Sequence, residues 1–182
     1  MTNKPSIRQS GFTIVELLIV IVVIGVLAAI TIVAFNGIQH RAENTKTKAG
    51  AQAYIKALRM YAVETGAYPT VTACIGEGYN YNGELNKCGG NISVFTNATF
   101  DAALQKYFNG SKPTLSTKNI VIYAANTRAG GYFNPTAGAH GVVYYILSGT
   151  TDSCLAGDSK SLSADAGITG FYCTHSLPAP SA

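Results

Sequence analysis

An uninterrupted apolar run occupies residues 12–35 and dominates the amino-acid sequence. As an α-helix it would be about 36 Å long, which is enough to cross the hydrocarbon core of a bilayer. One carboxylate, that of Glu16, lies near the start of the run. An acidic side chain at the centre of a membrane helix costs about 2.5–3.5 kcal/mol, and less near the interface. A plain anchor would avoid that cost, so we expect the charge to serve a second purpose.

Residues 1–11 are short, polar and basic, with Lys4 and Arg8 ahead of the apolar run. Basic residues hold an N-terminus in the cytoplasm while the next helix inserts, which predicts a single-pass protein with a cytoplasmic N-terminus. A secretory signal peptide is the alternative, and Ala28-Ala29 is similar to its small-residue cleavage site. Against it, the apolar core of a signal peptide has about 7–15 residues, and this run is longer and continues into further helix-forming sequence.

Residues 36–66 continue the helix in an amphipathic form. They contain no proline and many helix formers, and from Ala51 onward apolar side chains recur at helical spacing. Gly66 fits a C-cap, and Pro69 follows it to prevent continuation. The pattern predicts one helix of roughly 50 residues whose second half packs against the rest of the chain. The apolar positions of that half are Ala51, Tyr54, Ile55, Leu58, Tyr61 and Ala62.

Residues 67–182 are expected to form a globular head. A turn is predicted over residues 130–135, and a short helix over Thr99–Phe108 with Thr99 as its N-cap. One long helix followed by runs of strands indicates the α+β class, with a small antiparallel β-sheet packed on the amphipathic half-helix. Strands are predicted at Thr70–Ile75, Asn119–Ala125, Gly141–Ser148 and Gly167–His175.

The chain has four cysteines, which are Cys74, Cys88, Cys154 and Cys173. An even number in an exported domain favours disulfides, and three connectivities are open. The sequence-local pairs Cys74–Cys88 and Cys154–Cys173 are favoured because each closes a turn-rich loop, which would contribute roughly 3 kcal/mol. A metal site is the alternative. The thiols lack the usual metal-ligand spacing, and the head offers few histidines to assist them.

Charge and motifs argue against several classes of function. The net charge of +4 is modest, and part of it lies in residues 1–11, so composition does not support nucleic-acid binding. The sequence contains no nucleophile elbow, zinc-protease helix or phosphate-binding loop. His140, Asp152 and Ser153 have the residue types of a catalytic triad, but nothing in the sequence brings them together. We therefore expect no catalytic residue, no metal site and no cofactor.

The N-terminus resembles a known signature. Residues 11–18 read Gly-Phe-Thr-Ile-Val-Glu-Leu-Leu, follow a short basic peptide and precede the Gly-Val-Leu-Ala-Ala-Ile of residues 25–30. This combination resembles the N-terminus of type IV pilins and the related pseudopilins, over about residues 8–35. Residues 66–69, Gly-Ala-Tyr-Pro, are similar to a common end of their long helix. The head carries no diagnostic match, and Val33 stands where many pilins have a proline.

The resemblance implies the type IV pilin fold and a particular processing route. A prepilin peptidase would cut between Gly11 and Phe12, and the new amine of Phe12 would be N-methylated. The mature subunits would assemble into a helical filament with the apolar helices in its core. There Glu16 would neutralise the N-terminal amine of a neighbouring subunit and set its register. In such a bundle, the small residues Gly25, Ala28 and Ala29 allow helices to approach closely.

The resemblance also implies partners, a location and four segments. The implied partners are copies of this chain, other pilins, the prepilin peptidase, a membrane platform protein and a cytoplasmic assembly ATPase. The implied location is the inner or cytoplasmic membrane before assembly and an extracellular filament afterwards. The segments are residues 1–11 as leader, 12–35 as membrane and assembly helix, 36–66 as amphipathic half-helix and 67–182 as head.

Three functions fit these observations. The leading interpretation is a structural subunit of a type IV pilus-like filament that serves adhesion, motility or DNA uptake, the last being the only route to nucleic acid. A pseudopilin of a type II secretion system or of a competence pilus shares the same N-terminus. The third is a membrane-anchored surface binding protein or enzyme, which predicts no cut at Gly11-Phe12. An adhesive surface is a further interpretation of the head, formed by Tyr79, Tyr81, Tyr132, Tyr144 and Tyr145.

Overall fold

The structure is a computed structural model that describes residues 11–81, 83–89, 93–123, 126–136, 140–162 and 167–180. The chain divides into two compact units, which we call the N-terminal unit (to Gln39) and the head unit (from His40). The leader predicted at the N-terminus lies, except for Gly11, outside the described residues. A long helix, α1 (Ile14–Thr65), contributes its first part to one unit and its second part to the other.

The apolar part of α1 in the N-terminal unit is exposed at every residue whose side chain the structure describes. Its large apolar side chains range from 50% exposed at Val23 to 82% exposed at Ile14. An 18-residue stretch of the helix has a mean hydropathy of 3.3, and the helix is long and apolar enough to cross a membrane. The backbone stays helical through Val33, as expected where no proline interrupts the hydrogen-bond ladder.

In the head unit, the second half of α1 buries one face, as its spacing predicts. Tyr54, Leu58 and Ala62 on this face have no exposed surface. The predicted end of the helix is confirmed. Gly66 has a φ of 82°, and its N–H donates to the carbonyl oxygen of Ala62 at 2.8 Å. This is the left-handed C-cap conformation that glycine adopts without strain.

Gly50 permits a close contact on this helix. A Cβ atom at this position would lie 2.7 Å from the carbonyl oxygen of Thr114 and 2.7 Å from Cδ1 of Leu115. The following residue, Ser116, donates its N–H to Oγ1 of the buried Thr47 at 3.2 Å. The loop that contains these residues therefore rests directly on α1, which explains a glycine that would only weaken an isolated helix.

The strands of the head form one main sheet and two small hairpins. In chain order the elements are β1 (Ala73–Ile75), β2 (Asn80–Tyr81), β3 (Glu84–Leu85), α2 (Ala98–Gln105), β4 (Ile120–Tyr123), β5 (Asn126–Arg128), β6 (Gly131–Thr136), β7 (His140–Ser148), β8 (Ser159–Ser161) and β9 (Gly170–Leu177). The main sheet is antiparallel with the order β1-β6-β7-β9-β8, and β2-β3 and β4-β5 pair separately. A long helix packed on an antiparallel sheet confirms the predicted α+β class and agrees with the fold that the resemblance implies.

The core of the head lies between the inner face of the sheet and the two helices. Phe100 of α2 stacks on Phe133 of β6, with ring centroids 5.6 Å apart. Tyr54 of α1 meets Phe108 edge-on at 5.0 Å, and its hydroxyl accepts the Gly76 N–H at 2.9 Å. Burial raises the pKa of Tyr54, so this hydroxyl stays protonated. Aromatic pairs contribute about 0.5–1.5 kcal/mol each beyond their buried area, and here they tie α1 to the rest of the head.

A buried polar cluster fixes α1 at the end of β7. Asn44 is 4% exposed, and its side-chain amide donates to the Ser148 carbonyl oxygen at 2.9 Å and accepts from the Ser148 N–H at 2.8 Å. The same amide nitrogen donates to Oδ2 of Asp152 at 2.8 Å, while Oδ1 of Asp152 accepts from Nζ of Lys48 at 2.7 Å. Because only apolar spacing identified the buried face of the helix, the sequence analysis missed Asn44.

The turn predicted over residues 130–135 is wrong from Gly131 onward, because residues 131–135 belong to β6. Tyr132 pairs with both Cys74 and Tyr144, so β6 is an inner strand there. Gly131 is required in the strand because a Cβ would lie 2.3 Å from the Tyr144 carbonyl oxygen. The glycine and Pro135 signalled a turn, but β1 no longer pairs with β6 at Pro135, and proline is tolerated where a strand has a free edge.

Other predictions need smaller corrections. Helix α2 starts earlier than predicted, with Asn97 as its N-cap instead of Thr99, because Oδ1 of Asn97 accepts the Phe100 N–H at 3.0 Å. The predicted strand at residues 119–125 exists as β4, but it pairs with β5 outside the main sheet.

The predicted adhesive tyrosine surface is wrong in its main members, because Tyr79, Tyr132 and Tyr145 are buried in the head.

The contacts of Asp152 predict how stability depends on pH. Burial alone would raise the pKa of Asp152, but hydrogen bonds from Lys48, the Ser153 N–H and Asn44 outweigh it and hold the pKa below its usual 3.8. A depressed carboxylate pKa stabilises the fold above the unfolded pKa, and this contribution is lost as the pH falls through the folded pKa. We expect Asp152→Asn to lower the free energy of unfolding by about 1 kcal/mol at neutral pH, and by much less near pH 2.

Urea denaturation of the full chain in micelles, followed by near-ultraviolet circular dichroism, measures this difference. The control is Glu77→Gln, which changes an exposed acid that has no hydrogen-bond or ion-pair partner among the described residues. A decrease in the free energy of unfolding that is the same at neutral pH and near pH 2 would contradict the stabilising role of the Asp152 carboxylate. So would an equal decrease in the Asp152→Asn and Glu77→Gln variants.

Candidate processing and assembly site

The junction between Gly11 and Phe12 lies just before α1 and is accessible. Residues 11–13 are not helical, and the helix begins at Ile14. Phe12 is 84% exposed, and beyond the adjoining residues no heavy atom of the described part of the chain lies within 4 Å of the position that a Cβ of Gly11 would occupy. An exposed, non-helical backbone next to a glycine can be approached closely by the active site of a protease.

Glu16 is held at the start of α1 by Thr13. The Thr13 N–H and the Thr13 hydroxyl both donate to Oε2 of Glu16, each at 2.8 Å, and the Glu16 N–H donates to Oγ1 of Thr13 at 3.2 Å. This reciprocal pair is a capping box, with Thr13 as N-cap and Glu16 three residues later. A carboxylate at this end of a helix is also stabilised by the helix dipole. In the single chain, Glu16 is therefore already hydrogen-bonded.

The role of Thr13 was missed by the sequence analysis, although its signal was present. A threonine followed three residues later by a glutamate, directly before an apolar run, is the capping-box pattern. An interpretation of Glu16 only as a charge in a membrane overlooks that the same side chain can organise the first turn of its own helix. The two roles use the same carboxylate oxygens.

The three small residues predicted for helix packing share one face of α1. Gly25, Ala28 and Ala29 are spaced i, i+3 and i+4, which places them next to one another on the helix surface. All three are exposed, and apart from the adjoining residues and the backbone of the helix itself, no described heavy atom lies within 4 Å of the Cβ position of Gly25. The Thr31 hydroxyl donates to the Ala28 carbonyl oxygen at 2.9 Å, so it is satisfied within the helix. Because these three residues have small side chains or none, a second helix can approach this face closely.

The four cysteines form two disulfides within the head, and these are the sequence-local pairs. Cys74 of β1 is joined to Cys88, with Cα atoms 5.9 Å apart. Cys154 is joined to Cys173 of β9, with Cα atoms 5.6 Å apart. The second bridge ties the loop that carries Asp152 and Leu155 to the sheet, so it supports the polar cluster around Asn44.

The residue types of a catalytic triad do not meet in the head. His140 begins β7 and Asp152 follows the other end of that strand, on the order of 26 Å away along the chain direction. Asp152 is bonded to Lys48 and Asn44, and Ser153 contacts it through the backbone N–H at 2.7 Å. Within the described ranges, no group of three His, Cys, Asp or Glu side chains is arranged to hold a metal ion.

Comparison with known proteins finds one family match and several relatives that are similar over part of the chain. Residues 7–32 match the family described as "Prokaryotic N-terminal methylation motif". The type II secretion system core protein G of Aeromonas hydrophila is 38% identical over 63 residues, which is 35% of this chain and 44% of that protein. The protein of the same name from Escherichia coli K12 is 38% identical over 63 residues, 35% of this chain and 43% of that protein.

The Dickeya chrysanthemi protein of that name is 35% identical over 69 residues, 38% of this chain and 45% of its own length. The chain thus spans less than half the length of the relatives it matches. No solved structure matches the chain. The family match covers the segment that carries Gly11, Phe12 and Glu16.

We expect Thr13→Val to loosen the first turn of α1. The substitution keeps the size of the side chain but removes both hydrogen bonds of its hydroxyl, and loss of a threonine N-cap costs about 1 kcal/mol. Amide hydrogens of the first turn should therefore exchange about fivefold faster, measured by hydrogen–deuterium exchange of the full chain in micelles.

Thr31→Val is the matched control, because its hydroxyl bonds a carbonyl oxygen inside the helix and caps nothing. Equal exchange of the first turn in the two variants would show that the capping box does not stabilise this end of the helix.

Proposed function

We propose that the protein is a structural subunit of a type IV pilus-like filament, because residues 7–32 match the N-terminal methylation motif and the N-terminus resembles that of type IV pilins and pseudopilins. The observation that carries the proposal is the start of α1. An exposed Gly11-Phe12 junction precedes an unburied apolar helix, and that helix carries one carboxylate, Glu16, in its first turn. The head carries the surface that such a filament would display, in the service of adhesion, motility or DNA uptake.

Processing comes first in the proposed sequence of events. Prepilin peptidase cuts between Gly11 and Phe12, and the amine released on Phe12 is methylated. Gly11 has no side chain, and no described residue beyond its chain neighbours crowds it, which supports access to this bond. Before assembly, residues 12–35 lie in the inner or cytoplasmic membrane with the N-terminus in the cytoplasm, and residues 67–182 form the exported head.

Assembly then changes the partner of Glu16. In the single subunit its carboxylate bonds Thr13. In the filament it pairs with the Phe12 amine of a neighbouring subunit. A buried charge without a partner is strongly unfavourable, whereas a hydrogen-bonded pair is tolerable. The pair therefore selects the one axial register in which carboxylate and amine meet, and it acts more on register than on stability.

Apolar contact supplies the driving force for the filament core. A helix that is apolar on all sides requires lipid or other apolar helices around it. The face formed by Gly25, Ala28 and Ala29 allows the backbones of two such helices to approach closely.

The proposed partners are further copies of the chain, other pilins, a membrane platform protein and a cytoplasmic assembly ATPase. Nothing in this arrangement calls for catalysis by the chain itself.

A pseudopilin of a type II secretion system is the second candidate. It is favoured by the names of the relatives, which are core proteins of such systems. Their similarity covers only 63 to 69 residues of this chain, and pilins and pseudopilins share the N-terminal signature, so the similarity does not separate the two functions. Loss of surface filaments on deletion of the gene indicates a pilin, whereas loss of secreted proteins with filaments unchanged indicates a pseudopilin.

Mass spectrometry of the protein isolated from its own cells tests the processing step. We expect a chain that begins with N-methylated Phe12 and has lost residues 1–11. The head should retain both disulfides, so alkylation without a reductant should leave its mass unchanged. A chain that still contains residues 2–11 would overturn the proposal and favour a permanent membrane anchor.

Replacement of Glu16 by alanine tests the assembly step. We expect Glu16→Ala to be cleaved and inserted normally but to enter filaments poorly, with recovery in the sheared filament fraction lowered at least about tenfold, because the Phe12 amine would be buried without a partner. Glu43→Ala is the control, since Glu43 lies on the same helix and has no hydrogen-bond or ion-pair partner among the described residues. Normal filaments from Glu16→Ala would refute the register role.

A further inference from the structure

The main sheet has an outer face, turned away from α1, that is only partly covered. Side chains such as Tyr145 of β7 and Cys173 of β9 belong to the core under α1, so their neighbours along each strand point to the outer face. The disulfide-closed loop packs over this face at Tyr132, and β4 packs over it at Ile146. The strands β7, β9 and β8 leave a further part of the face open.

Six side chains with hydroxyl groups form this open part, which we call the outer patch. They are Tyr144 of β7, Tyr172, Thr174 and Ser176 of β9, and Ser159 and Ser161 of β8. All six are exposed or half-buried.

The register of the three strands brings these side chains together. Thr174 pairs with Tyr144 on one side and with Ser159 on the other, so the three lie in one row across the sheet. Tyr172 and Ser161 pair in the adjoining row. From strand spacing and rise, the outer patch measures about 10 Å across the strands and about 13 Å along β9.

The hydroxyl groups of the outer patch are available to a ligand. None of the six has a hydrogen-bond partner in the part of the chain that the structure describes. Beside them, Oδ1 of the exposed Asn134 accepts from Oγ1 of Thr72 at 3.1 Å, so the amide nitrogen of Asn134 remains for a further acceptor. A hydroxyl both donates and accepts, so the surface can match a partner that does the same.

The two tyrosine rings of the outer patch are held in place from behind. The ring of Tyr144 stacks on that of Tyr132 with centroids 4.6 Å apart, and the Tyr132 hydroxyl accepts from Nη1 of Arg128 at 3.2 Å. Tyr172 packs on Ile146 and on the isoleucines of β4, and its ring centroid lies 6.3 Å from that of Tyr144. Fixed rings with polar tips provide apolar contact at little entropic cost.

The outer patch contains no Lys, Arg, Asp or Glu. Lys160 lies between the two serines of β8, but its Nζ is on the other face, 3.9 Å from the ring centroid of Phe171, and donates to the carbonyl oxygens of Thr150 at 2.7 Å and Asp152 at 2.9 Å. His140 begins β7, about 13 Å along the strand from the tyrosine of the patch. A charged ligand would lose water here without gaining an opposite charge, so the surface favours an uncharged polar ligand.

From the free hydroxyl groups, the fixed rings and the absence of charge, we infer that the outer patch binds an uncharged oligosaccharide with equatorial ring substituents. Such a sugar has hydroxyl groups at the edge of each ring, which match the serine and threonine hydroxyls, and apolar C–H faces, which match the tyrosine rings. The site belongs to the head alone and lies away from α1, so it does not depend on the proposed filament assembly.

The test uses the full chain in zwitterionic lipid nanodiscs, with empty nanodiscs as the blank. The probe is cellohexaose, an uncharged β-1,4-linked glucose chain with equatorial substituents. Saturation-transfer difference NMR, with irradiation of the tyrosine ring protons, detects sugar protons that lie close to these rings. We expect a saturable signal from cellohexaose and none from the acidic hexamer of galacturonic acid.

Two variants test the assignment to the outer patch. We expect Thr174→Val, which removes one hydroxyl at nearly constant size, to weaken cellohexaose binding about fivefold. Tyr144→Phe keeps the stacked ring and should weaken binding by a similar factor. Thr99→Val is the matched control, because Thr99 is an exposed threonine of α2 whose hydroxyl also has no partner among the described residues. Near-ultraviolet circular dichroism checks that each variant is folded.

The absence of saturable cellohexaose binding would overturn the proposal. Equal binding by the Thr99→Val variant and by either folded patch variant would do the same, as would equal or tighter binding of the acidic hexamer. Self-association of the head that Thr174→Val abolishes and that excludes cellohexaose would instead assign the outer patch to contacts between copies of this chain, against the proposal.

Discussion

The apolar surface of residues 12–35 must leave water, since the large apolar side chains described in this segment are half exposed or more. Removal of one valine, leucine or isoleucine side chain from water contributes about 1.5–3 kcal/mol, and the segment has more than a dozen such residues. Their sum exceeds the cost of Glu16, about 2.5–3.5 kcal/mol at most, several times over. The segment therefore enters lipid or a helix bundle in spite of its charge, and the capping box with Thr13 lowers that cost further.

The head is built so that this change of surroundings need not disturb it. Its main core draws on residues from Ala51 to Leu177 and on none from the N-terminal unit. The aromatic layer around Tyr54 and the Asn44 cluster tie the second half of α1 to the sheet. The Cys154–Cys173 bridge closes the loop that completes this cluster. The proposed move of the subunit from membrane to filament requires a head that is stable in both settings.

Features that arise from neighbouring residues could be predicted from the sequence. The apolar run, the buried face through Tyr54 and Leu58, and the C-cap at Gly66 depend on helical periodicity and on local backbone preference, and all three are confirmed. The capping box is local too and was readable from the spacing of Thr13 and Glu16. Strand β6 was not, because Gly131 and Pro135 signal a turn until their partners in the sheet are known.

The amino-acid sequence alone determines that this protein has an apolar helix with a carboxylate in its first turn and a separate α+β head, because hydrophobicity and helical spacing are properties of consecutive residues. The tertiary structure decided which polar side chains are buried and which surface remains free. Asn44 meets Ser148 only when α1 lies against the end of β7, and His175 reaches Arg59 only across the packed sheet. Contacts between residues about a hundred positions apart depend on the register of the whole sheet, which no local pattern encodes.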